Sequence, residues 1–228
     1  MFLPFDGTMI LIIPVLILAF WAQSKVRSNF TKYSKIRSST GQTGAEAAEA
    51  ILRENGIYDV QVLPEKGELT DHYNPSTKEV HLSEPIFYGT SLASLSIAAH
   101  EVGHAIQHAK GYYPVLLRAQ LLPVANIGST MAFPLFIAGM IFSFPMLMDI
   151  GIIFFSAALL FHIVTLPVEF NASSRAIDQL RETGLVTQSN EIAGCKSMLS
   201  AAAMTYVAST LMALMQLIRL LILRGSRD

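Results

Sequence analysis

The sequence is short of charge. Only 16 of its 228 residues are Lys or Arg and 17 are Asp or Glu, a charged fraction of 14% against a hydrophobic fraction of 52%. An ordinary soluble domain carries nearer a quarter charged residues. The formal net charge of −1 argues against nucleic acid as a partner. Cysteine is almost absent: Cys195 alone cannot form an internal disulfide and excludes a Cys-based zinc site, so it reads as a small helix residue. No internal repeat or low-complexity tract is present.

What the chain does have is long uncharged runs. Gly7 to Ala22 is apolar, extended forward by Phe2 to Phe5 with Asp6 interrupting. With no Lys or Arg before it, it reads as a membrane span rather than a signal peptide. Lys25, Arg27, Lys32, Lys35 and Arg37 follow, which by the positive-inside rule sets the next segment in the cytoplasm. From Ala119 to Val168 the one charged residue is Asp149. Ala119–Met148 and Ile150–Val168 are each long enough to cross, with Phe144-Pro145 and Asp149 marking a turn, so the stretch reads as a transmembrane hairpin. A fourth uncharged run, Ser197 to Ile218, is dense in Ala, Ser, Thr and Met, as helix packing in lipid favours. If it crosses, Arg219, Arg224 and Arg227 end outside, against the positive-inside rule.

Between the runs lies polar chemistry. His100-Glu101-Val102-Gly103-His104 is an H-E-x-x-H run in an Ala-rich helical stretch over residues 91–110, with Thr90 or Ser91 as cap and Gly111 at the end. Four residues along an α-helix bring both imidazoles to one face. Zinc takes neutral nitrogen ligands and an open position, and Glu101 stands where it reaches a water there. A solvated helix face is the plain alternative; the apolar neighbours Ala98, Ala99, Val102, Ala105 and Ile106 argue against it, because buried ionisable groups need partners. A catalytic zinc calls for a third protein ligand. Two crossings return the chain to the side it left, so Glu169, the first charged residue after the hairpin, is the economical choice. The plain alternative there is an interfacial charge that merely stops a helix.

The remaining polar segment holds a helix over Thr43–Asn55 with a Thr43/Glu46 capping box. Val60–Leu63 and Glu79–Ser83 read as short strands, with Asn74-Pro75-Ser76-Thr77 as a turn between them. Val80–Ser83 is expected to present an edge to an extended peptide. His108, one turn beyond His104, is a fourth-ligand candidate but reads better as a side chain behind the ligands or facing substrate. His81 reads as a surface residue.

With these stretches in view the chain resembles the YugP-like membrane zinc metallopeptidases. The resemblance rests on Leu69–Pro75, Val80–Ser83, Ala98–His108, Leu166–Ser173 and Met198–Val207, and it covers nearly the whole chain. More distantly it resembles the HtpX-type quality-control proteases, which place a membrane hairpin between H-E-x-x-H and the third ligand. The resemblance implies a bacterial inner-membrane peptidase. Two departures stand near Glu169: Asn171, where many chains of the family carry aspartate, and Ser173, where HtpX-like enzymes carry one. Both are expected to orient ligands or face substrate. Asp71-His72-Tyr73 also matches the family; it reads as a loop in which His72 or Tyr73 donates to an oxyanion, or as a turn with packed aromatics.

The expected fold is therefore mainly α and integral to the membrane: three or four transmembrane helices plus a small α+β, zincin-like cytoplasmic catalytic domain. The expected parts are a first span over 1–23, a cytoplasmic metalloprotease part over 24–118, a hairpin over 119–168, a cytoplasmic third-ligand segment over 169–196 and an apolar helix over 197–223. The expected activity is endopeptidase hydrolysis through a zinc-activated water, with one Zn2+ on His100, His104 and Glu169 and with Glu101 as general base. Its partners are protein or peptide substrates and the lipid bilayer, with no nucleic acid, and membrane protein quality control is a fitting role. The rival from another class is a membrane scaffold with a structural zinc closed by His108; a weaker one is a zinc hydrolase of lipid head groups.

Overall fold

The computed structural model describes residues 7–226, so the expectations on Phe2–Asp6 and Arg227 lie outside it. After a single 3-10 turn over Gly7–Leu11 come α1 (Ile13–Tyr33), α2 (Gly44–Glu54), β1 (Gln61–Glu65), β2 (His72–Asn74), β3 (Glu79–Ser83), α3 (Glu84–Phe87), α4 (Leu92–Ala109), α5 (Tyr113–Ile141), α6 (Pro145–Glu182) and α7 (Ser189–Gly225). The protein is mainly α. Among the described residues, four helical segments are long and apolar enough to cross a membrane: Gly7–Tyr33, Tyr113–Ile141, Pro145–Glu182 and Ser189–Gly225.

The chain divides into two compact units. The first takes residues 1–22, 114–167 and 204–228. Its core is formed by Ala132, Phe136, Met148, Phe155, Leu159, Ala213 and Leu220. Many large apolar side chains of this unit point outward instead, Ile17, Phe20, Trp21, Ile127, Ile137 and Ile153 among them, as suits a surface solvated by lipid. The hairpin turn falls at the Phe144-Pro145 marker and not at Asp149. α5 ends at Ile141, where the amide of Phe144 donates to the Gly139 carbonyl at 2.8 Å, and α6 starts at Pro145. Proline is well placed at a first helical position, since its missing N–H would find no partner there. Asp149 therefore lies inside α6, not in the turn, and its Oδ1 accepts from Arg224 Nε at 2.8 Å. At the far end of α7, Arg219 Nε donates to Thr8 Oγ1 at 3.1 Å.

The second unit takes residues 23–113 and 168–203. α2 carries the full capping box, with Thr43 Oγ1 accepting from the Glu46 amide at 3.2 Å and Glu46 Oε2 accepting from the Thr43 amide at 2.8 Å. Its apolar face (Ala47, Ala48, Ile51, Leu52) joins Leu95, Ala98, Val102 and Ile106 of α4 and Ala176 and Leu180 of α6 in one core. The sheet has the order β1-β3-β2, with β1 and β3 parallel and β2 and β3 antiparallel. Two readings are corrected here. Residues His72 and Tyr73 lie in a strand, not a loop, because β2 pairs with β3 from His72↔His81 to Asn74↔Glu79. β3 is central, paired on both sides, so Val80–Ser83 offers no edge; the edges belong to β1 and β2.

α4 forms where its caps dictate. Ser91 Oγ accepts from the Ser94 amide at 3.1 Å. Gly111, at φ +61°, ends the helix as the Tyr112 amide turns back to the Gln107 carbonyl at 2.9 Å. Midway, Gly103 lets α4 lie directly on the α6 backbone: a methyl group there would sit 2.8 Å from the Ala172 carbonyl oxygen. Gly103→Ala is accordingly expected to destabilise the full chain by about 1–3 kcal/mol through overpacking, read as a lowered midpoint of denaturation in detergent. Unchanged stability would mean that the two helices do not meet there.

Candidate metal centre

The α4–α6 crossing brings the expected donors together. His100, His104 and Glu169 each offer one ligand atom, and these atoms lie within 4.8 Å of one another. Glu169 Oε2 is 3.4 Å from His100 Nε2 and 3.7 Å from His104 Nε2. Zinc bonds of about 2.0–2.1 Å in a tetrahedral arrangement put neighbouring donor atoms roughly 3.3 Å apart. Two imidazole nitrogens and one carboxylate oxygen are a donor set of the kind zinc prefers, so the residues fit the ion.

Each imidazole is held from behind. Gln107, fully buried, donates through Nε2 to the Val168 carbonyl at 2.8 Å and to Asn171 Oδ1 at 3.1 Å. Its Oε1 is then the acceptor toward His104 Nδ1 at 3.0 Å. That assigns the proton to Nδ1 and leaves the Nε2 lone pair facing Glu169. Asn171 Oδ1 also accepts from Arg175 Nε at 2.7 Å. The amide supplies the same kind of acceptor oxygen that an aspartate would, so the departure at this position leaves the contact intact. Ser173 Oγ lies 3.3 Å from His100 Nδ1, so this serine does reach a donor ring.

The electrostatics are those of a small buried cluster of charge. Burial opposes a charge on His100, yet a hydrogen bond donated by its ring to the Glu169 carboxylate and the negative charges of Glu101 and Glu169 outweigh it and raise its pKa. Burial pushes the Glu101 carboxyl up to about 7, with Asp71 and Glu169 adding to the rise and His100 opposing it. Asp71 is itself raised by burial, although its Oδ1 accepts from the Ser83 amide at 2.8 Å and from Ser83 Oγ at 3.0 Å.

The other expected residues are elsewhere. His108 is outside the donor group; its ring lies 5.6 Å from that of Tyr73, tilted by 55°. Tyr73 thus links β2 to the C-terminal end of α4, and burial raises its hydroxyl pKa, keeping it a proton donor. His72 stacks on His81 at 4.8 Å with its Nδ1 2.9 Å from the Thr70 carbonyl. Sequence reasoning missed Gln107 and Asp71. The available signal for Gln107 was an amide three residues past His104 in an otherwise apolar helix. Gln107→Ala is expected to weaken zinc binding roughly 10–100-fold, as measured by competition with a chromophoric chelator; wild-type affinity would show that His104 needs no such support.

Comparison with known proteins identifies the family of the chain. The chain is 51% identical over 219 residues, 96% of its own length and 97% of its relative's, to a protein of Bacillus subtilis (strain 168) described as "Putative membrane protease YugP". No solved structure matches it. The family model described as "Putative neutral zinc metallopeptidase" matches residues 8–225, and the chain belongs to that family.

Proposed function

We propose that this protein is a membrane-embedded, zinc-dependent endopeptidase whose single catalytic ion is held by His100, His104 and Glu169, with Glu101 as general base. The observation that carries the reading is the three-donor group within 4.8 Å, with a buried carboxyl next to it in sequence and raised to about 7. Zinc supplies Lewis acidity there, which makes water acidic near neutral pH and polarises a carbonyl. Glu101 accepts the proton of the attacking water and returns it to the leaving amine, work for which a carboxyl poised near neutrality is suited. Glu169 and the two imidazoles bind the ion; Gln107, Asn171 and Ser173 fix the rings from behind.

β2 is the sheet edge that packs nearest α4, through Tyr73 and His108. An extended substrate added to that edge would be held by backbone pairing with little side-chain selection. Tyr73 lies on the opposite face of β2 from His72, and its protonated hydroxyl is the candidate donor to the oxyanion. The five cations between Lys25 and Arg37 favour the cytoplasmic side of a bacterial cell membrane for the site. The arginine-bearing end of α7 is less of an objection than its sequence suggests, because Arg224 is paired with Asp149.

Glu101→Gln is expected to keep bound zinc and lose proteolysis of an unfolded protein by roughly 10²–10⁴-fold, while His100→Ala loses the metal; cleavage by the Gln variant at the wild-type rate would refute the mechanism. Asp71→Asn separates the charge effect. A neighbouring negative charge disfavours the ionised Glu101, so removing it lowers the Glu101 pKa and moves the acid limb of the kcat/KM profile to lower pH. A limb that stays in place or moves up would show that Asp71 does not act on Glu101.

A further inference from the structure

A second donor group lies on the other face of the sheet. Alternation along β3 sends Val80 and Leu82 into the core and leaves Glu79 and His81 on the opposite face. His72 of β2 is the direct partner of His81, and Leu63 of β1 pairs with His81 from the other side, so Glu65, two residues on, shares that face. The three strands therefore converge Glu65, His72 and His81, whose ligand atoms lie within 4.8 Å of one another. Glu65 Oε2 is shielded from water, makes no hydrogen bond, and stands 3.3 Å from His72 Nδ1. The Glu65 side chain as a whole is 37% exposed, so this one oxygen is sheltered by its neighbours, and a cation beside it would offset the lost hydration.

Two further features fit an ion. The His72 and His81 ring centroids are 4.8 Å apart, the same spacing as His100 and His104. Glu79 Oε2 lies 3.1 Å from His81 Nε2, giving that imidazole the carboxylate neighbour that metal-bound imidazoles ordinarily have. The rings are nearly parallel, at 7°, so loading requires His72 to exchange its Thr70 contact and turn about χ2. That is a soft torsion on an exposed side chain.

We infer that Glu65, His72 and His81 form a second divalent-cation site, selective for ions that favour imidazole such as zinc, which staples the three strands and holds the edge strand β2 in place. The inference does not rest on the peptidase reading. It is tested by stripping the full-length protein in detergent with a chelator, reloading with Zn2+ alone, dialysing and measuring zinc per chain by elemental analysis. Two ions are expected in the wild type, one in His72→Gln, one in Glu65→Gln, and one in a His100→Ala, His104→Ala double variant. Zinc at the α4 site in the first two variants reports that they are folded. One ion in the wild type that disappears from the double variant, or two in both His72→Gln and Glu65→Gln, overturns the second site; zinc-free His72→Gln and Glu65→Gln protein beside a wild type holding two ions would show those residues to be structural rather than ligands and overturns it as well, whereas one wild-type ion kept by the double variant and lost from both single variants upholds the second site and refutes zinc at α4. Loss of only the α4-site ion in the double variant leaves the second site standing whatever becomes of the peptidase.

Discussion

The backbone contact between α4 and α6 is the constraint from which the site follows. Where Gly103 meets Ala172, two helices distant in sequence come close enough to leave no room for a side chain. One presents His100 and His104, the other Glu169 and Ser173. A side chain at the crossing would start 2.8 Å from the Ala172 carbonyl oxygen, so one of the two donor-bearing helices would have to shift. Gln107 then locks the pair, spanning from the His104 ring to the Val168 carbonyl. Its three hydrogen bonds satisfy a fully buried amide that would otherwise oppose folding.

Charge is sparse in this chain, and where it is buried it is organised. In the second unit Glu191, buried at the start of α7, accepts from both the amide and the hydroxyl of Ser39. In the first, where Asp149 is exposed, its carboxylate still takes a partner, accepting from Arg224. Glu101 and Glu169 differ from these pairs in that their neighbours are imidazoles and other carboxylates, an arrangement that favours binding a cation over holding one another.

Much of this could be read before the fold was known, and the boundary has physical causes. The capping box at Thr43 and Glu46, the Ser91 cap and the Gly111 stop are local signals, and the helices begin and end where they indicate. β3 was recognisable by its alternation. β2 was not: three residues long, it is a strand only because β3 lies beside it. The centrality of β3 is likewise a property of pairing between strands. Hydropathy located the spans but not the helix ends, since a change of solvent is not a helix breaker. α6 runs on to Glu182, well past the apolar stretch, and α7 starts at Ser189, before the next one. Glu169 is legible from topology and resemblance together, whereas the tautomer of His104 depends on the partners of Gln107, which only the fold brings together.

The crossing at Gly103 also changes how the five-residue signature should be understood. Its written form treats two positions as blanks. Here neither is blank: Val102 is fully enclosed by the core, and the next position admits no side chain at all. Three letters specify reactivity and two specify architecture. The freedom an abstract pattern grants to its unlettered positions is, in this polypeptide, already taken up by the helix that carries the third donor.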